Sequence, residues 1–140
     1  MEVKEAKLLN GSALAYMGDA IFEKSVRESL LNEGYTKVNE LHHLATHYVS
    51  AKAQANLVDW LLASDLLTKE EIDIFKRGRN TKNYTKAKNA DHATYAKSTG
   101  FEALIGYLYL TGNRSRLHEL VAECIIHVQN GEANRGTEKK

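Results

Sequence analysis

Apolar residues recur mostly at intervals of three and four along this chain, and seldom at intervals of two. This period is typical of helices that bury one face, so the pattern predicts an all-α protein. Three helices are expected in the first half, at about residues 12–32, 36–47 and 51–62. Thr36 and Ser50 stand where an N-cap hydroxyl would accept a backbone N–H and begin the second and third of them.

The second half of the chain predicts three more helices. Thr68 and Glu71 form a capping box that opens the fourth helix, and the fifth is expected at about residues 92–110. Asn113 can cap the last helix, which Gly131 is expected to end.

Between the fourth and fifth helices, the stretch RGRNTKNYTKAKNA lacks apolar periodicity and is interpreted as a basic loop. No linker divides the chain, whose 140 residues suggest a single domain. We therefore expect one domain at residues 1–130 and a disordered tail at residues 131–140.

Two of the predicted helices carry a single charged residue within a long uncharged run. Between Lys7 and Glu23 the only charge is Asp19, in the stretch LAYMGDAIF, and residues 98–113 contain only Glu102. Residues three and four apart are neighbours on a helix, and at those positions neither acid meets a lysine or an arginine. A carboxylate in an apolar setting is costly unless a partner compensates its charge.

Two unpaired acids on core helices suggest a shared cation. Hard divalent ions such as Mg²⁺ bind oxygen ligands, often one or two carboxylates completed by waters and substrate phosphates. Gly18, Gly100 and Gly106 flank the two acids, and glycine inside a helix often marks close approach of the backbone to another group. The alternative is that each acid meets a distant lysine, arginine or helix N-terminus in the folded chain.

Positive charge is gathered in one segment, although the formal net charge is only +1. Residues 76–97 hold seven basic residues and one acidic residue, whereas the rest of the chain holds 12 basic and 17 acidic residues. Asparagine, threonine and tyrosine are interleaved with the basic residues, and all of these side chains can contact phosphate oxygens. The alternative is a merely solvated loop. The candidate residues for contacts with nucleic-acid phosphates are Lys76, Arg77, Arg79, Asn80, Lys82, Lys86 and Lys88.

A phosphate-binding segment combined with two acids that could bind a metal ion indicates a Mg²⁺-dependent phosphodiesterase acting on nucleic acid.

The two acids lie in motifs that resemble those of the ribonuclease III family. LAYMGDAIFE is similar to the family signature, and FEALIGYLYL is similar to its second motif, in which the glutamate binds metal. With FKRGRNTK between them and no appended domain, the chain resembles the Mini-III ribonucleases in particular, over roughly residues 10–130.

The resemblance implies an all-helical ribonuclease III catalytic domain that forms a homodimer and binds double-stranded RNA between its subunits. Asp19 and Glu102 match the catalytic, metal-binding positions, and Tyr16 matches the usual aromatic residue at the dimer contact. The implied cofactor is Mg²⁺. The implied substrate is precursor large-subunit ribosomal RNA, cut at a terminal stem, and a possible ribosomal-protein helper is left open.

Three positions depart from the family pattern. Ser12 and Ala15 stand seven and four residues before Asp19, where most members have acids, and Thr99 stands where an aspartate usually precedes the glutamate. The two remaining carboxylates favour one Mg²⁺, completed by water and RNA phosphate, over a two-metal site. The Mini-III subgroup shares this reduced set, so the departures do not indicate an inactive protein.

Composition indicates the cellular compartment of the protein. The single cysteine, Cys124, excludes an internal disulfide, and the N-terminus has no signal-peptide pattern and the chain no membrane-length apolar run. A cytoplasmic protein without membrane contact is therefore expected.

His43 and His47 have a spacing that zinc can use, but no acidic third ligand accompanies them, so structural histidines are favoured. Cys124, among apolar neighbours, is interpreted as a packed thiol.

Two further functions fit the same residues. One is a non-catalytic RNA-binding module that keeps the fold without the chemistry, and the other is a helical protein-interaction domain whose basic segment meets an acidic partner. The role of Glu23 is also open, because Arg27 lies four residues on as a surface partner while Asp19 lies one turn away.

Overall fold

The structure is a computed structural model that describes residues 1–81 and 91–138, with side chains described as far as residue 131. These residues form helices and contain no strand, which confirms the all-α prediction. None of the described helices is both long enough and apolar enough to cross a membrane. The helices are α1 (Val3–Leu8), α2 (Gly11–Asn32), α3 (Val38–Val49), α4 (Ala51–Ala63), α5 (Lys69–Arg79), α6 (His92–Leu110) and α7 (Arg114–Glu138).

Helix α6 is the centre of the fold, because α2, α5 and α4 all pack against it. Every residue from Ser98 to Leu108 is buried except Glu102. The ring of Phe101 meets the ring of Phe22 on α2 edge to face, with centroids 5.0 Å apart. Burial of such side chains stabilises the fold by roughly 1.5–3 kcal/mol each, so α6 carries much of the core.

The predicted starts of three helices, α4, α5 and α6, are confirmed. The Ser50 hydroxyl accepts the N–H of Ala53 at 3.1 Å, and Thr68 and Glu71 form the expected capping box. Helix α6 has the predicted bounds, and the Asp91 carboxylate caps it by accepting the N–H of Thr94 at 2.7 Å.

Other sequence-based expectations for the helix ends are wrong. Thr36 does not cap the second predicted helix, because α3 begins at Val38 and its N-cap, Lys37, makes no side-chain capping bond. Gly131 does not end the last helix, since α7 continues to Glu138. The short helix α1 was not predicted, because six residues give too little periodicity to recognise. The domain boundary at residue 130 stays a prediction.

The segment interpreted as a basic loop begins later than expected. Arg77 and Arg79 belong to the last turn of α5, where positive side chains are favoured by the negative end of the helix dipole. Residues 82–90 lie outside the described residues.

Candidate active site

Two glycines let α2 and α6 cross with their backbones in contact. A Cβ atom at Gly18 would lie 1.7 Å from the carbonyl oxygen of Glu102, and a Cβ at Gly106 would lie 1.9 Å from the carbonyl oxygen of Leu14. Both distances are far shorter than the ~3.5–4.0 Å of a favourable contact between carbon atoms. The crossing therefore requires glycine at both positions, and it brings Asp19, next to Gly18, to Glu102.

A second glycine contact places α5 against the same part of α6. A Cβ atom at Gly78 would lie 2.6 Å from the Cβ of Ala103, and one at Gly100 would lie 2.7 Å from the ring of Phe75. The prediction that Gly18, Gly100 and Gly106 mark close backbone approach is confirmed, and the groups approached belong to neighbouring helices. The C-terminal turn of α5 thus packs against the turn of α6 that carries Glu102.

Asp19 is exposed, so the expectation that it lies in a buried run is wrong. The buried face of α2 is formed mainly by Leu14, Ala15, Gly18, Phe22, Val26 and Leu30. The opposite face of the first turns exposes Ser12, Tyr16, Asp19 and Ala20. Several uncharged residues of the motif therefore face outward, and Asp19 stands among them at the edge of the α2–α6 crossing.

Glu102 is the half-buried partner of Asp19. Burial, followed by the hydrogen bond and the negative charge of Asp19, raises the pKa of Glu102 from its usual range to about 8. The hydrogen bond from Gln54 acts in the opposite direction, and the charge of Glu23 adds to the rise. The two carboxyl groups therefore oppose joint ionisation, an arrangement that a bound cation would relieve.

The described residues offer these acids no basic counterion. Within residues 1–81 and 91–131, the ion pairs of the structure involve neither Asp19 nor Glu102. Pairing with a distant lysine or arginine is therefore not supported in this part of the chain.

Glu23 takes both of the roles that the sequence left open. One of its carboxylate oxygens lies 3.6 Å from the Arg27 guanidinium, as a surface pair. The other oxygen is buried without a hydrogen-bond partner, and its charge acts on Glu102. An unpaired buried carboxylate oxygen is costly, which adds a second reason for a cation at this edge.

The donor set fits a hard divalent cation such as Mg²⁺. Carboxylate oxygens are its preferred protein ligands. A cation would stabilise both the unpartnered oxygen of Glu23 and the ionised form of Glu102, whose pKa is raised first by burial and then by Asp19. Among the described residues, no group of three or more histidine, cysteine, aspartate or glutamate side chains is arranged to hold a metal ion. A cation held by Asp19 and Glu102 would therefore take its other ligands from water and substrate phosphate.

Two of the three positions that depart from the family pattern, Ala15 and Thr99, are buried. Ala15 is buried, and the buried Thr99 hydroxyl donates to the backbone carbonyl of Tyr95 at 3.1 Å. Ser12 is exposed. Ala15 has no side-chain oxygen, and neither Ala15 nor Thr99 supplies a carboxylate to a cation.

The described basic candidates lie together at the C-terminal end of α5. Lys76 is exposed, the guanidinium of Arg79 lies 5.6 Å from the ring centroid of Phe75, and its Nε donates to Asn80 at 3.2 Å. Arg77 donates a hydrogen bond to the carbonyl of Leu9, so it tethers α5 to the link between α1 and α2. Their contacts with RNA stay predictions, and Lys82, Lys86 and Lys88 lie outside the described residues.

The other candidates fall outside the acid pair. Tyr16 is 84% exposed on α2, three residues before Asp19, and its dimer contact stays a prediction. The rings of His43 and His47 pack edge to face on α3, with centroids 5.4 Å apart. Cys124 is buried, and burial raises the pKa of its thiol to about 12, which suits a packed thiol and not a nucleophile.

Gln54 and Ser98 are the polar residues at the site that sequence reasoning missed. The Gln54 side chain is buried, and it donates from Nε2 to a carboxylate oxygen of Glu102 at 3.4 Å. The Ser98 hydroxyl donates to Oε1 of Gln54 at 2.6 Å. The available signal was a polar residue on the apolar face of the third predicted helix, one turn before Leu57 and Val58.

Comparisons with known proteins show the family of this chain. The family model described as the ribonuclease III domain matches residues 12–113. The chain is 55% identical to the Mini-ribonuclease 3 of Enterococcus faecalis, over 94% of this chain and 98% of the relative. It is 48% identical to the Mini-ribonuclease 3 of Staphylococcus aureus, over 87% and 91% respectively. A crystal structure of a Fusobacterium nucleatum protein superposes with a TM-score of 0.74 at 28% identity, covering 86% of this chain and 94% of that one.

Proposed function

The chain belongs to the ribonuclease III family and is an endoribonuclease of that type, and we propose that it cleaves double-stranded RNA with Mg²⁺ held by Asp19 and Glu102. The observation that carries this proposal is the convergence of the two carboxyl groups at the Gly18–Gly106 crossing. No basic side chain among the described residues compensates them, and the pKa of Glu102 rises to about 8.

Asp19 and Glu102 would bind the cation, and Gln54 contacts the carboxylate of Glu102. Asp19 presents an exposed carboxylate to solvent and substrate, whereas Glu102 is half-buried and receives a hydrogen bond from Gln54. A divalent ion bound there would supply Lewis-acid polarisation of the phosphate and would lower the pKa of a bound water. Glu23 adds negative charge beside the pair, which strengthens the attraction for a cation.

Incubation with a long RNA duplex, with and without Mg²⁺, tests this function against its alternatives. A nuclease cuts the duplex only with the ion. A non-catalytic RNA-binding module retards the intact duplex in a gel under both conditions, and a protein-interaction domain leaves its mobility unchanged. Either of these two results would overturn the proposal.

We also propose that the substrate class is precursor large-subunit ribosomal RNA, cut at a terminal stem in the cytoplasm. The similarity to Mini-ribonucleases 3 supports this assignment. A terminal-stem substrate should be cut at defined positions and in preference to an unrelated duplex of equal length. Equal, unselective cleavage of the two would contradict the assignment while leaving the nuclease activity in place.

The basic end of α5 and the segment that follows it should supply the phosphate contacts. Replacing Lys76, Arg79, Lys82 and Lys86 by alanine should weaken duplex binding and flatten its salt dependence, because each lost contact removes about 0.9 from the slope of log K against log salt. Four lost contacts would reduce the slope by about 3 to 4. Arg77 is left intact because it holds the Leu9 carbonyl. The measurement is binding affinity at several salt concentrations.

The matched control removes four exposed lysines from other parts of the surface. The control variant replaces Lys4, Lys7, Lys37 and Lys52, so both variants lose the same charge. If both variants change the slope equally, only net charge matters and the RNA does not lie along the end of α5.

We propose that the protein acts as a homodimer and that Tyr16 is part of the contact. An aromatic ring that is 84% exposed beside the site has no packing role within its own subunit. Aromatic side chains at the centre of an interface often contribute about 2 kcal/mol or more, so Tyr16→Ala should weaken the dimer by roughly 30-fold or more. Sedimentation at several concentrations measures the effect.

Leu31 provides the control on the same helix, because it is also exposed and lies about 22 Å further along α2. Leu31→Ala should leave the dimer unchanged. A wild-type protein that stays monomeric at micromolar concentration would contradict the dimer. Equal affinities for Tyr16→Ala and wild type would place the contact elsewhere.

A further inference from the structure

A buried amide joins α4 to the acidic edge of α6. The Gln54 side chain is only 1% exposed, although glutamine is usually a surface residue. Its two polar ends reach two residues of α6 that stand one helical turn apart, Ser98 and Glu102. A buried polar side chain is tolerated when its donors and acceptors have partners, and here both ends do.

The observed orientation of this amide suits an ionised Glu102. The NH₂ group of Gln54 faces Glu102, and this orientation suits the ionised carboxylate that would bind a cation, because an ionised carboxylate only accepts hydrogen bonds. The amide oxygen then faces Ser98, whose hydroxyl can donate, and the observed distance of 2.6 Å is that of a well-formed O–H···O bond. The reverse orientation would set the amide oxygen against the carboxylate. A serine hydroxyl can donate or accept, so Ser98 anchors the amide oxygen of Gln54 in this orientation, whereas the carboxylate of Glu102 is the partner that favours it.

We propose that Gln54 is a positioning residue, anchored by Ser98, that holds the Glu102 carboxylate in the orientation in which it binds Mg²⁺. The inference rests on the proposed function, since it names what prepares the same site. It follows from the Gln54 amide, which is anchored at Ser98 and places its Nε2 3.4 Å from one carboxylate oxygen of Glu102, leaving the other oxygen for a cation shared with Asp19. Hydrogen-bond partners that orient metal ligands commonly change metal affinity by about 10–100-fold when they are removed.

The principal variant is Gln54→Met, which keeps the length and burial of the side chain but removes both hydrogen bonds. Its Mg²⁺ affinity should fall by about 10-fold or more. The Mg²⁺ concentration at half-maximal cleavage should rise by the same factor, whereas the rate at saturating Mg²⁺ should stay within a few-fold of wild type. Affinity is read without RNA from the rise of the melting temperature with Mg²⁺ concentration.

Two further variants separate positioning from packing. Ser98→Ala removes only the anchor of the amide and should shift the Mg²⁺ midpoint in the same direction by a smaller factor. Asp59→Asn breaks the exposed ion pair with Lys97, which also joins α4 to α6, at 3.0 Å. This control should leave the Mg²⁺ midpoint unchanged, because Asp59 does not touch Glu102.

The outcomes distinguish this inference from the proposed function. If wild type binds Mg²⁺ and cuts RNA while Gln54→Met has lower stability but the wild-type Mg²⁺ midpoint, Gln54 is structural and the inference is overturned. An equal shift in Asp59→Asn would also overturn it, since any α4–α6 contact would then suffice. A wild-type protein that neither binds Mg²⁺ nor cuts RNA would overturn the proposed function together with this inference.

Discussion

Replacing Glu102 by glutamine should abolish RNA cleavage and yet stabilise the metal-free protein at alkaline pH. Cleavage should fall by several orders of magnitude, because the variant loses the charge that holds Mg²⁺ while keeping the size of the side chain. The folded-state pKa of Glu102 is about 8, above its ordinary value of 4.5. The metal-free wild type therefore loses stability as pH rises from about 4.5 through 8, since its folded state gives up this proton less readily than the unfolded chain.

The glutamine variant has no proton to lose at this position. Its melting temperature should match that of wild type near pH 4 and exceed it above pH 8, when both are measured without divalent ions. Addition of Mg²⁺ at pH 8 should raise the melting temperature of wild type and leave that of the variant unchanged. A stability difference that does not depend on pH, or cleavage that persists in Glu102→Gln, would contradict this account of the site.

The variant Asp19→Asn tests the exposed acid of the Asp19–Glu102 pair and is compared with Glu102→Gln. Cleavage should fall as far as in Glu102→Gln, whereas the melting temperature should change less, because Asp19 is solvated. Duplex binding without cleavage should persist in both variants, since the basic end of α5 is untouched. A destabilised but fully active Asp19→Asn protein would show that this carboxylate pairs with a cation of the chain instead of Mg²⁺.

The two acids of the candidate site could be singled out from the sequence because the patterns that mark them are local. One acid in each of two uncharged runs pointed to Asp19 and Glu102, and glycines inside predicted helices pointed to close backbone approach. Helix bounds were best predicted where a capping side chain marks the start, as at Ser50 and Thr68. Each of these signals lies within a few residues of the feature that it predicts.

The features that could not be predicted depend on contacts between distant segments. Gln54 meets Glu102 across 48 positions and Ser98 across 44, so no local pattern indicates either hydrogen bond. The exposure of Asp19 was missed because its neighbours Tyr16 and Ala20 are uncharged and yet also exposed. The sequence therefore does not show which side of α2 is buried. If Tyr16 meets a second subunit, the uncharged outer face of this motif reflects an interface that one chain does not display.

Replacing Gly18 by alanine should damage the fold and the site together. The new methyl group would meet the backbone carbonyl of Glu102 at 1.7 Å, and backbone cannot rotate aside as a flexible side chain does. The two helices would have to separate at the centre of the core, which we expect to cost about 3 kcal/mol or more. For a chain of this size, that loss lowers the melting temperature by roughly 10 °C.

Gly131→Ala is the matched control, because a methyl group at Gly131 on α7 would meet no other atom within 4 Å. Alanine is favoured over glycine by about 0.5–1 kcal/mol in a helix, so this variant should be slightly more stable than wild type. Folded Gly18→Ala protein should also bind Mg²⁺ more weakly, since separating the helices draws Asp19 away from Glu102. If Gly18→Ala keeps both the wild-type melting temperature and the wild-type Mg²⁺ midpoint, the close crossing of α2 and α6 does not build the site. A loss of stability with unchanged Mg²⁺ affinity would mean that the acid pair is held together by other contacts.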